Sequence, residues 1–188
     1  TTGVYGDAQG ALFDETRAVA PATDRGRRRV HAESLVRWWG RRQVMQSGTR
    51  VGILRIPGIY ALDREGGDPR ERVRKGSPLL RREDDVYTNH IHADDLARAC
   101  VAALWRGLPG RVVHACDDTD MQMGDYFDWV ADYFGLPRSP RLSKAEAAAS
   151  LSPMQLSFMS ESRRLLNQRL KAELRVRLRY PSIQIGLA

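Results

Sequence analysis

Several short groups of residues have side chains that could take part in acid/base, metal or phosphate chemistry. His92, Asp94 and Asp95 place an imidazole and two carboxylates within a few residues of one another, a combination suited to proton transfer. The same carboxylates would also stand in the first turn of a helix, where they meet unsatisfied amide groups. We therefore interpret this group as a helix cap, with His92 ordering the turn that leads into the helix.

A histidine and a cysteine stand two residues apart in a segment of strand-forming residues. His114 and Cys116 would share one face of that strand, and both are ligand types for zinc. The sequence offers no obvious source for a third or a fourth ligand. We therefore predict no metal site, and we place His114, Cys116 and the second cysteine, Cys100, in the apolar core.

Two arginine-rich stretches have the chemistry to bind phosphate. One covers residues 70–75, and the other is the pair Arg81 and Arg82 before a short predicted strand. The planar guanidinium fork matches phosphate oxygens with pairs of hydrogen bonds. Arg82 is therefore a candidate substrate-binding residue for a phosphorylated ligand. Solvated surface is the alternative interpretation of both stretches.

The length and composition are those of a chain that buries one sizeable core, with 188 residues of which 42% are hydrophobic. No repeat, low-complexity tract or Gly/Ser linker divides the sequence, so we predict a single unit. No stretch approaches the roughly 20 apolar residues that span a bilayer, and the amino terminus lacks the order of a signal peptide. These features predict a cytoplasmic protein that makes no contact with a membrane.

The net charge of +7 comes from 30 lysines and arginines, which raises the question of a polyanionic partner. The arginines are spread over several segments, and none is interleaved with aromatic residues as in a groove that binds single strands. The charge pattern therefore argues against nucleic acid as a partner, and a basic nucleic-acid-associated module is only a third hypothesis.

The candidate residues belong to alternating helices and strands. Apolar residues recur at helical spacing over 24–46 with arginines opposite them, which predicts a long amphipathic helix in which Trp38 and Trp39 serve packing. Residues 50–56 are rich in β-formers and are stopped by Pro57, so they are predicted as a buried parallel strand. This alternation predicts an α/β sheet.

Further elements follow from caps, turns and helix-breaking residues. Ser143 and Glu146 have the spacing of a capping box, and proline prevents the segment 178–182 from continuing a helix. The β-formers that end at Gly6 predict the tip of a buried strand over 1–6. The other predictions are a short basic helix after 66–69, a strand over 86–91, a helix over 92–105, a strand over 111–115, a helix over 124–134, a basic helix over 160–174 and an extended tail.

Five segments, in order and at sensible spacing, together carry a resemblance to a known family. They are the run TTGVYG at 1–6, the helix start at 21–33, the strand and turn LRIPGIY at 54–60, the run NHIHADDLA at 89–97, and the late strand and helix at 112–136, which ends in G-L-P. Each segment alone is a weak signal. Jointly they resemble the extended short-chain dehydrogenase/reductases of the NAD-dependent epimerase/dehydratase branch.

The resemblance implies an α/β fold with an incomplete Rossmann-like doubly wound parallel sheet and a small, mainly helical carboxy-terminal subdomain. Residues 1–60 and 86–116 would form the remainder of the sheet, and residues 61–85 and 117–188 the substrate-binding-type portion. The implied activity is reversible hydride transfer between a sugar carbon and NAD or NADP, with a nucleotide sugar as the small-molecule substrate. The resemblance also implies a homodimer through the long helix, and the arginine-rich face of that helix argues against such pairing.

The resemblance assigns roles to residues that match the family's catalytic motif. Thr1 matches the Ser/Thr whose hydroxyl helps bind the reacting oxygen. Arg25 and Arg29 stand where the family has an acid/base tyrosine and the lysine that lowers its pKa. Arginine stays protonated and cannot replace tyrosine as a proton shuttle. Thr1, Arg25 and Arg29 are therefore the candidate catalytic positions, with Arg29 near the cofactor ribose.

The resemblance also implies further site residues around the same crevice. The backbone of Pro57 and Gly58 would approach the nicotinamide amide, where side-chain bulk would obstruct it. A common Pro-Gly turn is the equal alternative. Tyr5 and Tyr60 join Arg82 as candidate substrate-binding residues. Tyr5 could also supply the missing proton donor, although packing beneath the loop is the preferred interpretation.

A glycine-rich turn for the cofactor pyrophosphate is absent from the sequence. No G-x-G-x-x-G occurs, whereas doubly wound folds use this motif with helix-terminus amides to hold the pyrophosphate. We therefore expect that roughly the first hundred residues of such a fold are missing and that the chain is truncated and weakly active or inactive alone. The alternative is a non-catalytic nucleotide-binding or regulatory relative, which the arginine at position 25 favours.

Overall fold

Helices and short strands alternate along the computed structural model, which describes residues 1–188 except for the side chain of Met154. The helices are α1 Asp24–Ser47, α2 Pro69–Arg74, α3 Ala93–Arg106, α4 Met123–Tyr133, α5 Lys144–Ser150, α6 Pro153–Met159, α7 Gln168–Ala172 and α8 Ile183–Gly186. The strands are β1 Leu12–Phe13, β2 Ile53–Arg55, β3 Gly58–Tyr60, β4 Leu79–Leu80, β5 Tyr87–Thr88, β6 His90–His92, β7 Val112–His114, β8 Met121–Gln122, β9 Arg141–Leu142 and β10 Arg164–Leu165. Of the helices described, none is both long and apolar enough to cross a membrane.

The strands are two or three residues long and pair two by two. β2 runs parallel to β7, with Ile53 opposite Val112 and Arg55 opposite His114, and β3 runs parallel to β6. β1 pairs with β10 and β4 with β9, both parallel, whereas β5 and β8 are antiparallel. Parallel strands joined through helices form the α/β arrangement of a Rossmann-like sheet. The predicted fold class is therefore confirmed.

The predicted long helix is confirmed as α1. Thr23 caps it by accepting a hydrogen bond from the amide of Gly26 at 3.1 Å, and Gly48 ends it in the left-handed region at φ 70°. Its packing differs from the prediction, because several large apolar side chains are 45–52% exposed, namely Leu35, Val36, Trp38 and Trp39. The prediction that the tryptophans serve packing within the chain is therefore wrong.

The first six residues form a 3-10 turn instead of the predicted strand tip. The turn spans Thr2–Tyr5, and the hydroxyl of Thr1 accepts a hydrogen bond from the amide of Gly3 at 3.4 Å. Gly6 then adopts φ 64°, and a Cβ there would lie 2.2 Å from the carbonyl oxygen of Ala20. A threonine cap and a glycine with positive φ favour a turn over an extended strand.

The middle of the chain follows the predictions with shorter strands. α2 is the short basic helix predicted after residues 66–69, and Asp68 caps it by accepting a hydrogen bond from the amide of Arg70 at 2.9 Å. The strand predicted over 50–56 covers only Ile53–Arg55, and the one predicted over 86–91 is divided into β5 and β6. α3 and α4 begin and end within one residue of the predicted bounds, and the capping box of Ser143 and Glu146 is present.

The basic helix predicted over 160–174 is wrong for most of its length. Arg164–Leu165 forms β10 alongside β1, and the amide of Leu165 donates to Oδ1 of Asn89 at 3.0 Å. Only Gln168–Ala172 is helical. Tertiary pairing of a buried leucine overrides the helix propensity of this segment.

The non-helical tail predicted over 178–182 is held against the start of α3. Asp95 is fully buried and accepts from the amides of Arg179 at 3.0 Å and Tyr180 at 2.8 Å. His92 caps α3, because its Nδ1 accepts from the amide of Asp94 at 3.2 Å. The group begins α3 as predicted, with both carboxylates in the first turn. The cap, however, is the imidazole of His92, and the buried carboxylate of Asp95 holds the tail instead of capping the helix.

The histidine and cysteine at the end of β7 lie in the core, as predicted. His114 is fully buried and Cys116 is 1% exposed. Among the described residues, no group of three or more His, Cys, Asp or Glu could hold a metal ion. The core prediction is wrong for Cys100, which is exposed on α3 because its neighbour Ala99 takes the inward position.

Candidate functional site

A cavity of about 280 Å³ opens where the first residues, the turn between β2 and β3, the strands β5 and β6, and the segment after α6 meet. Residues from distant parts of the sequence thus share one wall. They include Thr1, Arg25, Pro57, Gly58, Arg72, His90, Phe127, Phe158, Glu161 and Arg163.

Four of the predicted site residues line this cavity. Thr1 contributes the opening turn, and the Pro57 and Gly58 turn connects β2 to β3. Arg25 lies in the first turn of α1, with its Cζ 4.9 Å from the ring centre of Phe158. The fold therefore brings together a hydroxyl, a cation and a turn that the sequence keeps far apart.

The absence of a side chain at Gly58 allows His90 to lie against this turn. A Cβ at position 58 would be 2.8 Å from Cδ2 and 3.4 Å from Nε2 of His90. The imidazole stacks on Tyr126 with 4.0 Å between the ring centres, and burial lowers its pKa to about 3. A neutral imidazole therefore forms part of the wall at pH 7.

A buried chain of hydrogen bonds joins the elements that frame the cavity. The hydroxyl of Tyr5 accepts from Nη1 of Arg55 and donates to Nε2 of His114, both at 2.6 Å. Nδ1 of His114 donates to the carbonyl of Leu166 at 3.0 Å, and Arg55 pairs with Glu33 of α1 at 2.6 Å. These bonds fix the opening turn, α1 and the end of β2 relative to one another.

The structure does not bring the predicted substrate residues Tyr5 and Tyr60 to the cavity wall. Tyr5 is fully buried, its hydroxyl is bonded within the core, and burial raises its pKa. Tyr60 is 2% exposed, and its hydroxyl donates to the carbonyl of Ser182 at 3.4 Å. The packing interpretation of Tyr5 agrees with this location, because a hydroxyl bonded in the core does not face the cavity.

Arg29 and Arg82 also lie outside the cavity wall. Arg29 is exposed on α1, one helical turn after Arg25. Arg82 is exposed beside Asp125, with 3.6 Å between the guanidinium and the carboxylate. It lines a separate hollow of about 320 Å³. Arg29 is therefore near the cavity along the helix, whereas Arg82 belongs to another part of the surface.

Three polar residues of the wall, His90, Glu161 and Arg163, were not singled out from the sequence. Glu161 is 7% exposed, and its Oε2 pairs with Arg163, which also donates to the carbonyl of Gly6 at 2.8 Å. Oε1 of the same carboxylate has no hydrogen-bond partner among the described residues. His90 belongs to the run at 89–97 but was given no role there, and no local pattern marks Glu161 and Arg163, because the three residues meet only through the tertiary fold.

Arg72 belongs to the arginine-rich stretch that the sequence marked as suited to phosphate. Its guanidinium lies 5.0 Å from the ring centre of Phe127, and Nη2 donates to the carbonyl of Pro78 at 3.3 Å. Nε is buried without a partner among the described residues, and burial lowers the pKa of the guanidinium. The neighbouring Arg70, by contrast, pairs with Asp68 at 2.8 Å.

A larger hollow of about 490 Å³ lies along α3. Two of its three arginines, Arg98 and Arg106, already donate to main-chain carbonyls, and Trp105, which also lines it, is 78% exposed. None of the predicted site residues lines this hollow. The smaller cavity is therefore the candidate functional site.

Comparison with known proteins gives matches among solved structures, although no protein-family model and no curated protein matches the sequence. A conserved protein of unknown function from Silicibacter pomeroyi DSS is 35% identical, with a TM-score of 0.84 over 100% of this chain and 62% of that chain. The dTDP-glucose 4,6-dehydratase of Bacillus anthracis in complex with NAD is 14% identical, with a TM-score of 0.74 over 100% of this chain and 57% of that chain. RMD from Pseudomonas aeruginosa complexed with NADPH is 18% identical, with a TM-score of 0.69 over 100% and 61%.

These similarities concern the fold. This chain spans 57–62% of the length of the three solved chains. Two of those structures contain a nicotinamide dinucleotide, NAD in the dehydratase and NADPH in RMD. The resemblance that the five sequence segments predicted is therefore confirmed at the level of the fold.

Proposed function

We propose that this chain, which has the fold of the NAD-dependent epimerase/dehydratases, forms the substrate-binding side and part of the cofactor site of an NAD(P)-dependent oxidoreductase or nucleotide-sugar epimerase/dehydratase-like protein. The observation that carries the proposal is that Thr1 and the turn of Pro57 and Gly58 line one cavity. In this proposal the Thr1 hydroxyl binds the reacting oxygen and the turn faces the nicotinamide. The nicotinamide supplies the hydride chemistry when it is bound.

Arg25 limits the chemistry that the residues of the cavity can perform by themselves. It lines the same cavity, and its guanidinium stays protonated and cannot pass a proton to the reacting oxygen. We therefore expect weak or no turnover by residues 1–188 alone. The second candidate function is a non-catalytic nucleotide-binding or regulatory protein, favoured by a permanent cation at the position of the acid/base residue.

The proposal extends to the remaining predictions for the whole protein. Arg29 binds the cofactor ribose from the exposed face of α1, and the substrate is a small molecule of the nucleotide-sugar type. The protein acts in the cytoplasm, and residues 61–85 and 117–188 form its substrate-binding portion. Tyr5 and Tyr60 are assigned no ligand contact, because both are buried with their hydroxyls bonded in the core.

Calorimetric titration of the folded chain with NAD⁺, NADH, NADP⁺ and NADPH tests the cofactor assignment. Micromolar affinity would support the assignment, and the absence of binding by a chain with a helical circular dichroism spectrum would contradict it. Arg29→Gln should weaken the affinity several-fold, because it removes the cation proposed to bind the ribose. Arg28→Gln is the matched control, since Arg28 is also exposed on α1, and it should leave the affinity unchanged.

Turnover separates the two candidate functions. Nucleotide sugars are added to the chain with oxidised cofactor, and the absorbance of the reduced nicotinamide is followed. Hydride transfer by the Arg25→Tyr/Arg29→Lys double variant, above that of the parent chain, would support the oxidoreductase. Cofactor binding without turnover in the parent and in the double variant would support the regulatory alternative.

A further inference from the structure

Two arginines of the cavity carry charges that the described residues do not neutralise. Arg25 lies over the ring of Phe158 and Arg72 over the ring of Phe127. Neither arginine forms an ion pair with a carboxylate of a described residue. Arg72 is partly buried, and a buried cation costs free energy unless an anion joins it. Arg25 is exposed in the same cavity, so it adds a second positive charge that a ligand with negative charge can reach.

Glu161, which lines the same cavity, has a buried carboxylate oxygen that lacks a donor. Oε2 of Glu161 is paired with Arg163, whereas the buried Oε1 has no partner among the described residues. An ionised carboxylate only accepts hydrogen bonds, so a ligand group that satisfies Oε1 must be a donor. A phosphate or carboxylate oxygen would be repelled there.

The charges and the volume together restrict the ligand. Arg163 balances Glu161, so Arg25 and Arg72 leave the wall with two unbalanced positive charges. His90 adds none, because burial lowers its pKa to about 3. This field disfavours an amine and favours an anion whose donor is a neutral hydroxyl. The volume of about 280 Å³ is just below the roughly 300–1,000 Å³ of drug-sized sites, which suits a molecule of monosaccharide size.

Resting on the proposed function, which places a substrate in this cavity, we propose that the ligand is a hydroxylated anion of monosaccharide size, a sugar acid or a sugar phosphate, in place of a complete nucleotide sugar. Its anionic oxygens bind the forks of Arg25 and Arg72, and one hydroxyl donates to Oε1 of Glu161. Arg25 is then a residue that selects substrate charge at the position where a proton-transferring tyrosine was expected. Carboxylate and phosphate share this chemistry, and the titrations distinguish them.

Calorimetric titrations at constant ionic strength, without nicotinamide cofactor, use glucuronate, glucose 6-phosphate, glucose and inorganic phosphate. We expect one of the two sugar anions to bind at least about tenfold more tightly than glucose and than inorganic phosphate. Preference for glucuronate identifies the anionic group as a carboxylate, and preference for glucose 6-phosphate identifies a phosphate. Equal affinity for glucose overturns the role of the arginines, and equal affinity for inorganic phosphate overturns the role of the hydroxyl.

Two matched pairs of variants locate the anion site. Arg25→Gln and Arg72→Gln should each weaken binding of the preferred sugar anion by about 10- to 100-fold, because each removes a charge-assisted hydrogen bond. Arg28→Gln and Arg74→Gln remove exposed arginines outside the wall on the same two helices and should change the affinity by less than about twofold. If the control variant of each pair loses as much affinity as the variant in the cavity wall, the assignment is overturned. Because Arg25 is exposed, Arg25→Gln should fold, and it tests the anion site even where Arg72→Gln fails to fold.

The cofactor titration separates this inference from the proposed function. Cofactor binding by a chain that binds neither sugar anion overturns the inference and leaves the proposed function intact. Binding of a sugar anion by a chain that binds no nicotinamide dinucleotide supports the inference and contradicts the cofactor assignment.

Discussion

Single residues that do not line the cavity hold its walls in place. Tyr5 bonds at 2.6 Å to both Arg55 and His114 in the core. A buried polar group that loses its partner costs about 1–3 kcal/mol. Because Tyr5 ends the opening turn and Arg55 ends β2, this chain of bonds maintains the separation at which Thr1 and Pro57 share one cavity.

We predict that Tyr5→Phe lowers the free energy of unfolding by about 1–3 kcal/mol, because Nε2 of His114 loses its donor and Nη1 of Arg55 its acceptor. Urea denaturation followed by circular dichroism measures the change. Tyr133→Phe is the matched control, since Tyr133 is 50% exposed, and its effect should stay within about 0.5 kcal/mol. Equal effects of the two substitutions would mean that the Tyr5 hydroxyl does not stabilise the core.

The close contact between Gly58 and His90 gives a second prediction. Gly58→Ala should destabilise the protein by about 1–3 kcal/mol, because the new Cβ would lie 2.8 Å from Cδ2 of His90. In a His90→Ala background the nearest remaining atom is the carbonyl oxygen of Asn89 at 3.5 Å, so the same change should cost less than about 1 kcal/mol. A double-mutant cycle by chemical denaturation measures this coupling, and an equal cost in both backgrounds would contradict the contact.

At the scale of elements, the tail is attached to the sheet through one carboxylate at the start of α3. Asp95 is fully buried and accepts from the amides of Arg179 and Tyr180, and the ring of Tyr180 lies 3.8 Å from that of His92. α8 follows and buries Ile183 completely. The start of α3 therefore determines where the last residues pack.

Asp95→Ala should lower the free energy of unfolding by about 3–5 kcal/mol and expose residues 178–188 to hydrogen exchange, because it leaves two amides and the cation of Arg98 without their acceptor. Chemical denaturation and exchange measured by mass spectrometry report the two effects. Asp94→Ala is the control in the same helical turn, because Asp94 is exposed. If Asp95→Ala leaves the tail protected from exchange, the carboxylate does not anchor it.

At the scale of the whole molecule, buried neutral histidines make stability depend on pH. Burial lowers the pKa of His114 from 6.5 to about 4, so the unfolded chain takes up this proton at a higher pH than the folded chain. Stability must therefore fall as pH falls between about 6.5 and 4, and His114 alone should account for about 2 kcal/mol between pH 7 and pH 5.

Urea denaturation at pH 7 and pH 5 checks this dependence. His114→Gln should reduce the loss between the two pH values by about 2 kcal/mol relative to the parent. An unchanged pH dependence in the His114 variant would mean that its imidazole is not held neutral in the core.

The exposed apolar side chains of α1 also concern the whole molecule, because such patches mark contact surfaces. We predict that two copies associate through α1, where Leu35 is 52% and Trp39 is 47% exposed. Sedimentation velocity should show association that increases with concentration and that Leu35→Glu/Trp39→Glu abolishes. Leu104→Glu on α3 is the control, since Leu104 is 77% exposed. A monomer at every concentration would contradict the pairing.

The sequence by itself determined the α/β class, the bounds of α1, α3 and α4, and the capping box, because these depend on hydrophobic spacing and on caps a few residues apart. It also supplied part of the candidate site. Thr1, Arg25, Pro57 and Gly58 were singled out through motifs in order along the chain, and all four line the cavity.

Only the tertiary structure decided which side chains complete the cavity and which are buried beneath it. Glu161 and Arg163 lie in a segment whose local pattern predicted a helix, yet Arg163 bonds to the carbonyl of Gly6, which lies 157 residues earlier in the chain. Tyr5 was a candidate for ligand contact, and its hydroxyl is bonded to His114 in the core. Contacts between residues this far apart in sequence are set by packing and by the need to satisfy buried polar groups, neither of which leaves a local sequence pattern.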